Sequence, residues 1–91
     1  MTKVEQHEKI CKTLTDTYAK KNADYGDSWT KSINEWGLAA AGVRISDKYN
    51  RMIKLLQGAD PKVKNEGLDD VCLDMANYCI MLYMYLQNRG E

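Results

Sequence analysis

Two runs of charged residues in this 91-residue chain have the spacing of chemistry. Arg44, Asp47, Lys48 and Arg51 fall at i, i+3, i+4 and i+7, so a helix would line them along one edge. Glu66, Asp70 and Asp74 are spaced by four, Asn77 continues that edge, and Asp69 completes Glu66-x-x-Asp69. Carboxylates stacked at i, i+4 repel by about 0.2–0.5 kcal/mol per pair. A series of them requires a compensating cation, either Mg²⁺ or facing Arg and Lys side chains. Mg²⁺ is commonly held by one or two carboxylates plus the phosphates of a substrate. Arg44, Lys48 and Arg51 are the residue types that grip a phosphate or a cyclic phosphodiester. Together the stripes would make a groove with one basic and one acidic wall. The plainer alternative is that they neutralise each other as helix-surface salt bridges, each worth little.

A third group sits in KKNADYGDSW, residues 20–29, which has no hydrophobic periodicity and many hydrogen-bonding side chains. Gly26 supplies a permissive backbone and Asp27 or Ser28 can cap a following helix. Asn22, Asp24, Tyr25 and Trp29 are left without a structural task. The stretch is therefore expected to be a loop forming one wall of a phosphate-facing pocket, with Asp24 in reach of Arg44 or Arg51. Tyr25 and Trp29 are the aromatic candidates for contact with a base or sugar.

The elements that must position these groups are helical. Val4, Cys11, Leu14 and Tyr18 make an apolar stripe on a first helix from about Thr2 to Lys21. A short helix, capped by Asp27 or Ser28, should run through Ser32 to Trp36 and stop at Gly37. A longer one spans about Leu38 to Gln57, with Leu38, Ala41, Ile45, Tyr49, Met52, Ile53 and Leu56 as its stripe and Gly58 as its stop. Asp60-Pro61 is a candidate start for the last helix. From Leu68 the pattern is firm, and Val71, Cys72, Met75, Cys79, Leu82 and Leu86 would share the buried face, ending near Asn88. The expected fold is all-α, one domain over residues 1–91, a compact bundle of three long helices and one short one.

Beyond Asn77 the last helix is apolar nearly all round, through Tyr78, Ile80, Met81, Tyr83, Met84 and Tyr85. A helix apolar on every face is buried on every face. In a domain this small the expected cover is a second subunit, making a homo-oligomer, first of all a dimer through the C-terminal helix.

Thirteen basic residues balance thirteen acidic ones, so no global field draws the chain to polymeric nucleic acid or anionic lipid. The run YCIMLYMYL is shorter than the roughly 20 residues of a membrane-spanning helix. Three cysteines without C-x-x-C spacing suggest reduced, packed thiols, and a cytoplasmic setting is expected. His7 has no second histidine to join it at a metal.

The motifs K-N-x-D-Y-G-D-S at Lys21–Ser28, R-x-x-D-K-x-x-R at Arg44–Arg51 and E-x-x-D-D-x-x-x-D-x-A-N-Y at Glu66–Tyr78 occur in that order. This resembles the nucleotide modification associated domain 1 family, found in phages and prophages, over about residues 15–85. The resemblance implies nucleotide-related chemistry without fixing a reaction. A more distant likeness is to all-α nucleoside triphosphate pyrophosphohydrolases, which bind Mg²⁺ through E-x-x-E on one helix and E-x-x-D on the next. Glu66-x-x-Asp69 matches the second half, whereas Arg44-x-x-Asp47-Lys48-x-x-Arg51 stands where the first half would be.

The leading expectation is a small nucleotide-binding protein that sequesters a nucleotide or cyclic-nucleotide signal, for example one used in host defence against a phage, or serves nucleotide modification. Its ligand would meet Asn22, Asp24, Tyr25, Trp29, Arg44, Asp47, Lys48, Arg51, Asp70 and Asp74. The competing expectation is a Mg²⁺-dependent pyrophosphohydrolase or nucleotide-modifying enzyme, with Glu66, Asp69, Asp70 and Asp74 as metal ligands. A third is an accessory subunit that docks its apolar last helix on a larger phage assembly.

Overall fold

A computed structural model describes residues 1–60 and 66–89 of the chain. The described residues form four helices and no strand: α1 (Lys3–Tyr25), α2 (Ser28–Trp36), α3 (Ala39–Leu56) and α4 (Leu68–Gln87). The all-α fold, with three long helices and a short one, is as the periodicity predicts. The candidate helix start at Pro61 lies outside the described residues.

Helix α1 opens with a reciprocal cap. Thr2 Oγ1 accepts the Glu5 N–H at 3.1 Å, and Glu5 Oε1 accepts the Thr2 N–H at 3.2 Å. The helix then runs one turn past the expected Lys21, because nothing between Lys21 and Tyr25 breaks it. Asn22, Asp24 and Tyr25 are therefore helical, a correction to the loop expected from their polarity. The stop is Gly26, left-handed at φ 58°, ψ 43°, with its N–H bonded to the Asn22 carbonyl. Asp27 is left-handed too, at φ 55°, a conformation that Asp tolerates better than most residues. Its carboxylate accepts the Thr30 N–H at 3.4 Å and caps α2. The chain thus reverses within two residues.

The core lies where α2, α3 and α4 meet. Trp29 and Ile33 of α2 and Ala41 of α3 are buried together, flanked by Ala40 and by Tyr78, Met81, Leu82 and Tyr85 of α4. Val71 is fully enclosed near the start of α4. Helix α1 joins through its C-terminal half. Leu14 is buried, and its carbonyl accepts a hydrogen bond from Asn77 Nδ2 at 3.1 Å.

Three apolar stripes differ from expectation. On α3 Ala41 is buried and Ile45, Met52 and Ile53 are half-buried, while Leu38, Tyr49 and Leu56 are exposed. On α1 only Leu14 is buried and Tyr18 half-buried, while Val4, Ile10 and Cys11 are exposed, since residues 1–13 reach beyond the packed part of the helix. On α4 the buried face carries Val71, Tyr78, Leu82 and Tyr85, whereas Cys72, Cys79 and Leu86 are exposed. Cys11 is exposed as well, so none of the three thiols is packed as composition suggested. A helix apolar on every side offers no phase by which its buried face can be read. No described helix is long and apolar enough to cross a membrane.

Candidate functional site

A cavity of about 230 Å³ opens where all four helices converge. The last two turns of α1 supply Tyr18, Lys21, Asn22 and Tyr25, spaced along one helical face. The start of α2 brings Ser28 and Trp29, α3 brings Arg44, and α4 brings Asp74, Asn77, Tyr78 and Met81. A second hollow adjoins it, sharing Tyr18, Trp29 and Met81 and bordered by Asp27, Asn34 and Arg89.

Trp29 organises the cavity from beneath. It is only 4% exposed, stacks on Tyr78 with ring centroids 5.3 Å apart, and carries the Arg44 guanidinium 5.8 Å above its ring. That cation–π contact holds Arg44 without neutralising it. Among the described residues Arg44 makes no ion pair, and its five N–H donors are of the geometry that binds phosphate bidentately. The Trp29 Nε1–H is buried without an acceptor among the described residues. Because Trp29 is enclosed, it cannot offer a free face to a base as expected. Tyr25, 69% exposed at the rim, is the aromatic ring that can.

One turn further along α3 the charges are already spent. Lys48 Nζ lies 3.0 Å from Glu66 Oε1 and 2.8 Å from Asp74 Oδ2, and Arg51 also pairs with Glu66. Lys48, Glu66 and Asp74 keep only 20%, 18% and 26% of their side-chain exposure, so these pairs are better shielded than ordinary surface bridges. Partial burial pushes the Lys48 ammonium down, but hydrogen bonds to Asp74 and Glu66 outweigh it and hold the group above the usual lysine value. Hydrogen bonds from Lys48 and Arg51 hold the Glu66 carboxyl below the usual range against its desolvation. Asp74 links the two regions, with Lys21 3.8 Å from its other oxygen at the cavity edge.

The site residues anticipated from sequence therefore divide. Asn22, Tyr25, Trp29, Arg44 and Asp74 are brought to one cavity. Lys48 and Arg51 face acids rather than open space. Asp70 accepts the Gly67 N–H at 3.2 Å and serves the N-terminus of its own helix. Asp24 and Asp47 are exposed and make no ion pair among the described residues, so the expected bond from Asp24 to Arg44 or Arg51 does not form. Tyr18, Lys21, Ser28, Asn77, Tyr78 and Met81 were not singled out as ligand contacts. The 18, 22, 25 spacing on α1 and the 74, 77/78, 81 spacing on α4 carry that signal once α1 is extended to Tyr25.

The four carboxylates proposed as metal ligands do not fit an ion as they stand. Lys48 Nζ occupies the point between Glu66 and Asp74, Asp70 is turned to the backbone, and Asp69 is exposed. Among the described residues no three His, Cys, Asp or Glu side chains converge.

Comparison with known proteins agrees with the ordered motifs. The family model described as nucleotide modification associated domain 1 matches residues 21–86, most of the chain and every wall of the cavity except Tyr18. No curated protein and no solved structure matches. The chain belongs to the nucleotide modification associated domain 1 family.

Proposed function

We propose that this family member binds a nucleotide in the four-helix cavity, with its phosphate on Arg44 and Lys21 and its base against Tyr25. The observation that carries the reading is Arg44, a guanidinium held over a buried indole, without a carboxylate partner among the described residues, inside an aromatic-lined hollow. Ligand sites of this kind combine apolar walls with a few placed polar groups, and Asn22, Ser28, Asp74 and Asn77 are the polar groups here. Asn77 Nδ2 is already committed to Leu14, which fixes the amide and leaves its oxygen as an acceptor. The family's name associates it with nucleotide modification, in keeping with a nucleotide ligand.

In this reading the chain acts by holding its ligand, which extends to sequestration of a nucleotide or cyclic-nucleotide signal. The enzyme alternative would need Glu66 and Asp74 to let go of Lys48 before they could serve a reaction. Titration calorimetry against mono-, tri- and cyclic nucleotides tests the proposal. Saturable heat is expected with at least one of them, lost in Arg44→Ala while the helical circular dichroism holds. Absence of heat across the panel, with and without Mg²⁺, would overturn it.

A further inference from the structure

The outer face of α4 is an uncovered apolar surface. Leu73, Ile80, Tyr83, Met84 and Leu86 are 37–64% exposed, and Cys72 and Cys79 are exposed beside them. Cys72, Ala76, Cys79, Tyr83 and Leu86 recur at alternating intervals of four and three, the seam spacing of a two-helix contact. No charged residue interrupts that face from Cys72 to Leu86. An uncharged strip of this length exposed on a monomer marks an interaction surface.

Area leaves room for a cover of interface size. A solitary folded chain of 10.4 kDa would expose about 5,400 Å², whereas this one exposes 6,997 Å². Its radius of gyration is 14.6 Å, against about 12 Å expected for a compact domain of its length. Part of that excess belongs to residues 1–13 of α1, which reach beyond the packed part of the helix, and the whole exceeds the roughly 800 Å² that each partner contributes to a standard interface. Side-chain size then identifies the occupant. The seam is small at one end (Cys72) and large at the other (Tyr83), so these two positions complement each other when two copies run antiparallel, with Leu86 falling over Asp69 at the end of the seam. A two-fold axis beside Ala76 and Cys79 sets Tyr83 of each chain over Cys72 of the other, an isologous contact.

We infer that two copies of this chain pair through the α4 seam, antiparallel, with Ala76 and Cys79 at the axis. The inference stands apart from the ligand reading, and its test measures mass and proximity. Sedimentation equilibrium of the full chain is expected to give twice the 10.4 kDa chain mass. Cys79→Glu, placed at an exposed position of the single chain, is expected to give the chain mass with its helical signal kept. With Cys79 as the only cysteine (Cys11→Ser, Cys72→Ser), a short bismaleimide should couple two chains. With Cys72 alone it should not, because antiparallel pairing separates the two Cys72 residues along the helices. A single-chain mass at every concentration overturns the inference. So does a dimer indifferent to Cys79→Glu, a dimer coupled through Cys72, or a dimer uncoupled through Cys79.

Discussion

Arg44 and Lys48 stand one helical turn apart on α3, yet they belong to two regions with opposite electrical fates. Around Lys48, two carboxylates from the other side of the bundle close in, and the cation is neutralised within a half-buried lattice. Around Arg44 the neighbours are aromatic, and the charge is retained. Residue type and spacing are nearly the same in both places. What differs is which part of α4 each one meets: its acidic N-terminal approach for Lys48, its tyrosine for Arg44. A guanidinium set over an aromatic ring stays available to a ligand, whereas an ammonium set between two carboxylates does not.

Substitutions can break that contrast. The largest effect is expected from Arg44→Ala, which removes the free charge. Hydrogen bonds to charged groups contribute about 1.5–3 kcal/mol, so nucleotide affinity should fall roughly 10- to 150-fold in calorimetry, with thermal stability little changed. Lys48→Met does the reverse. It leaves Glu66 and Asp74 half-buried without their shared cation and should cost about 1–2 kcal/mol in urea denaturation, while affinity moves less than Arg44→Ala moves it. Equal losses of affinity in the two variants would erase the distinction drawn here. Tyr25→Ala removes the exposed ring at the rim, and a stacking loss of about 1 kcal/mol would appear as roughly fivefold weaker binding.

The lattice also predicts an acid response. Hydrogen bonds from Lys48 and Arg51 lower the Glu66 pKa on folding, so its contribution is full above the ordinary carboxyl value of 4.5 and is lost as pH falls through the depressed folded value. Lys48, raised on folding, contributes below its ordinary 10.5 and loses that contribution as pH rises through its higher folded value. Denaturation midpoints followed downward from pH 4.5 should therefore drop more steeply in the parent than in Lys48→Met; parallel slopes would show that the lattice does not hold Glu66. The smallest effect is expected from Asp24→Asn, at an exposed and unpaired position, with affinity and stability each within about 0.5 kcal/mol of the parent.

How much of this was legible in the sequence depends on which signal was local. Caps and stops were: Asp27 before α2 and Gly37 after it occupy the positions that their chemistry dictates. The end of α1 was misread because Asn22, Asp24 and Gly26 together look like turn residues. Only Gly26 actually leaves the helical conformation. The buried face of α4 was misread for the opposite reason, since apolar residues on all sides fit any phase equally well. The pairing of Lys48 with Glu66 and Asp74, and the freedom of Arg44, depend on how α3 lies against α4. That is a relation between distant segments, to which spacing within either one is blind.

The two tryptophans make the chain its own optical instrument. Trp29 is enclosed, stacked on Tyr78 and overlain by Arg44, while Trp36 is 72% exposed at the end of α2. Iodide should quench the emission of Trp36 and leave that of Trp29 almost untouched. In Trp36→Phe the remaining fluorescence comes from beneath the cavity alone. Any occupant that draws Arg44 away from the indole would then change that emission, with no label added.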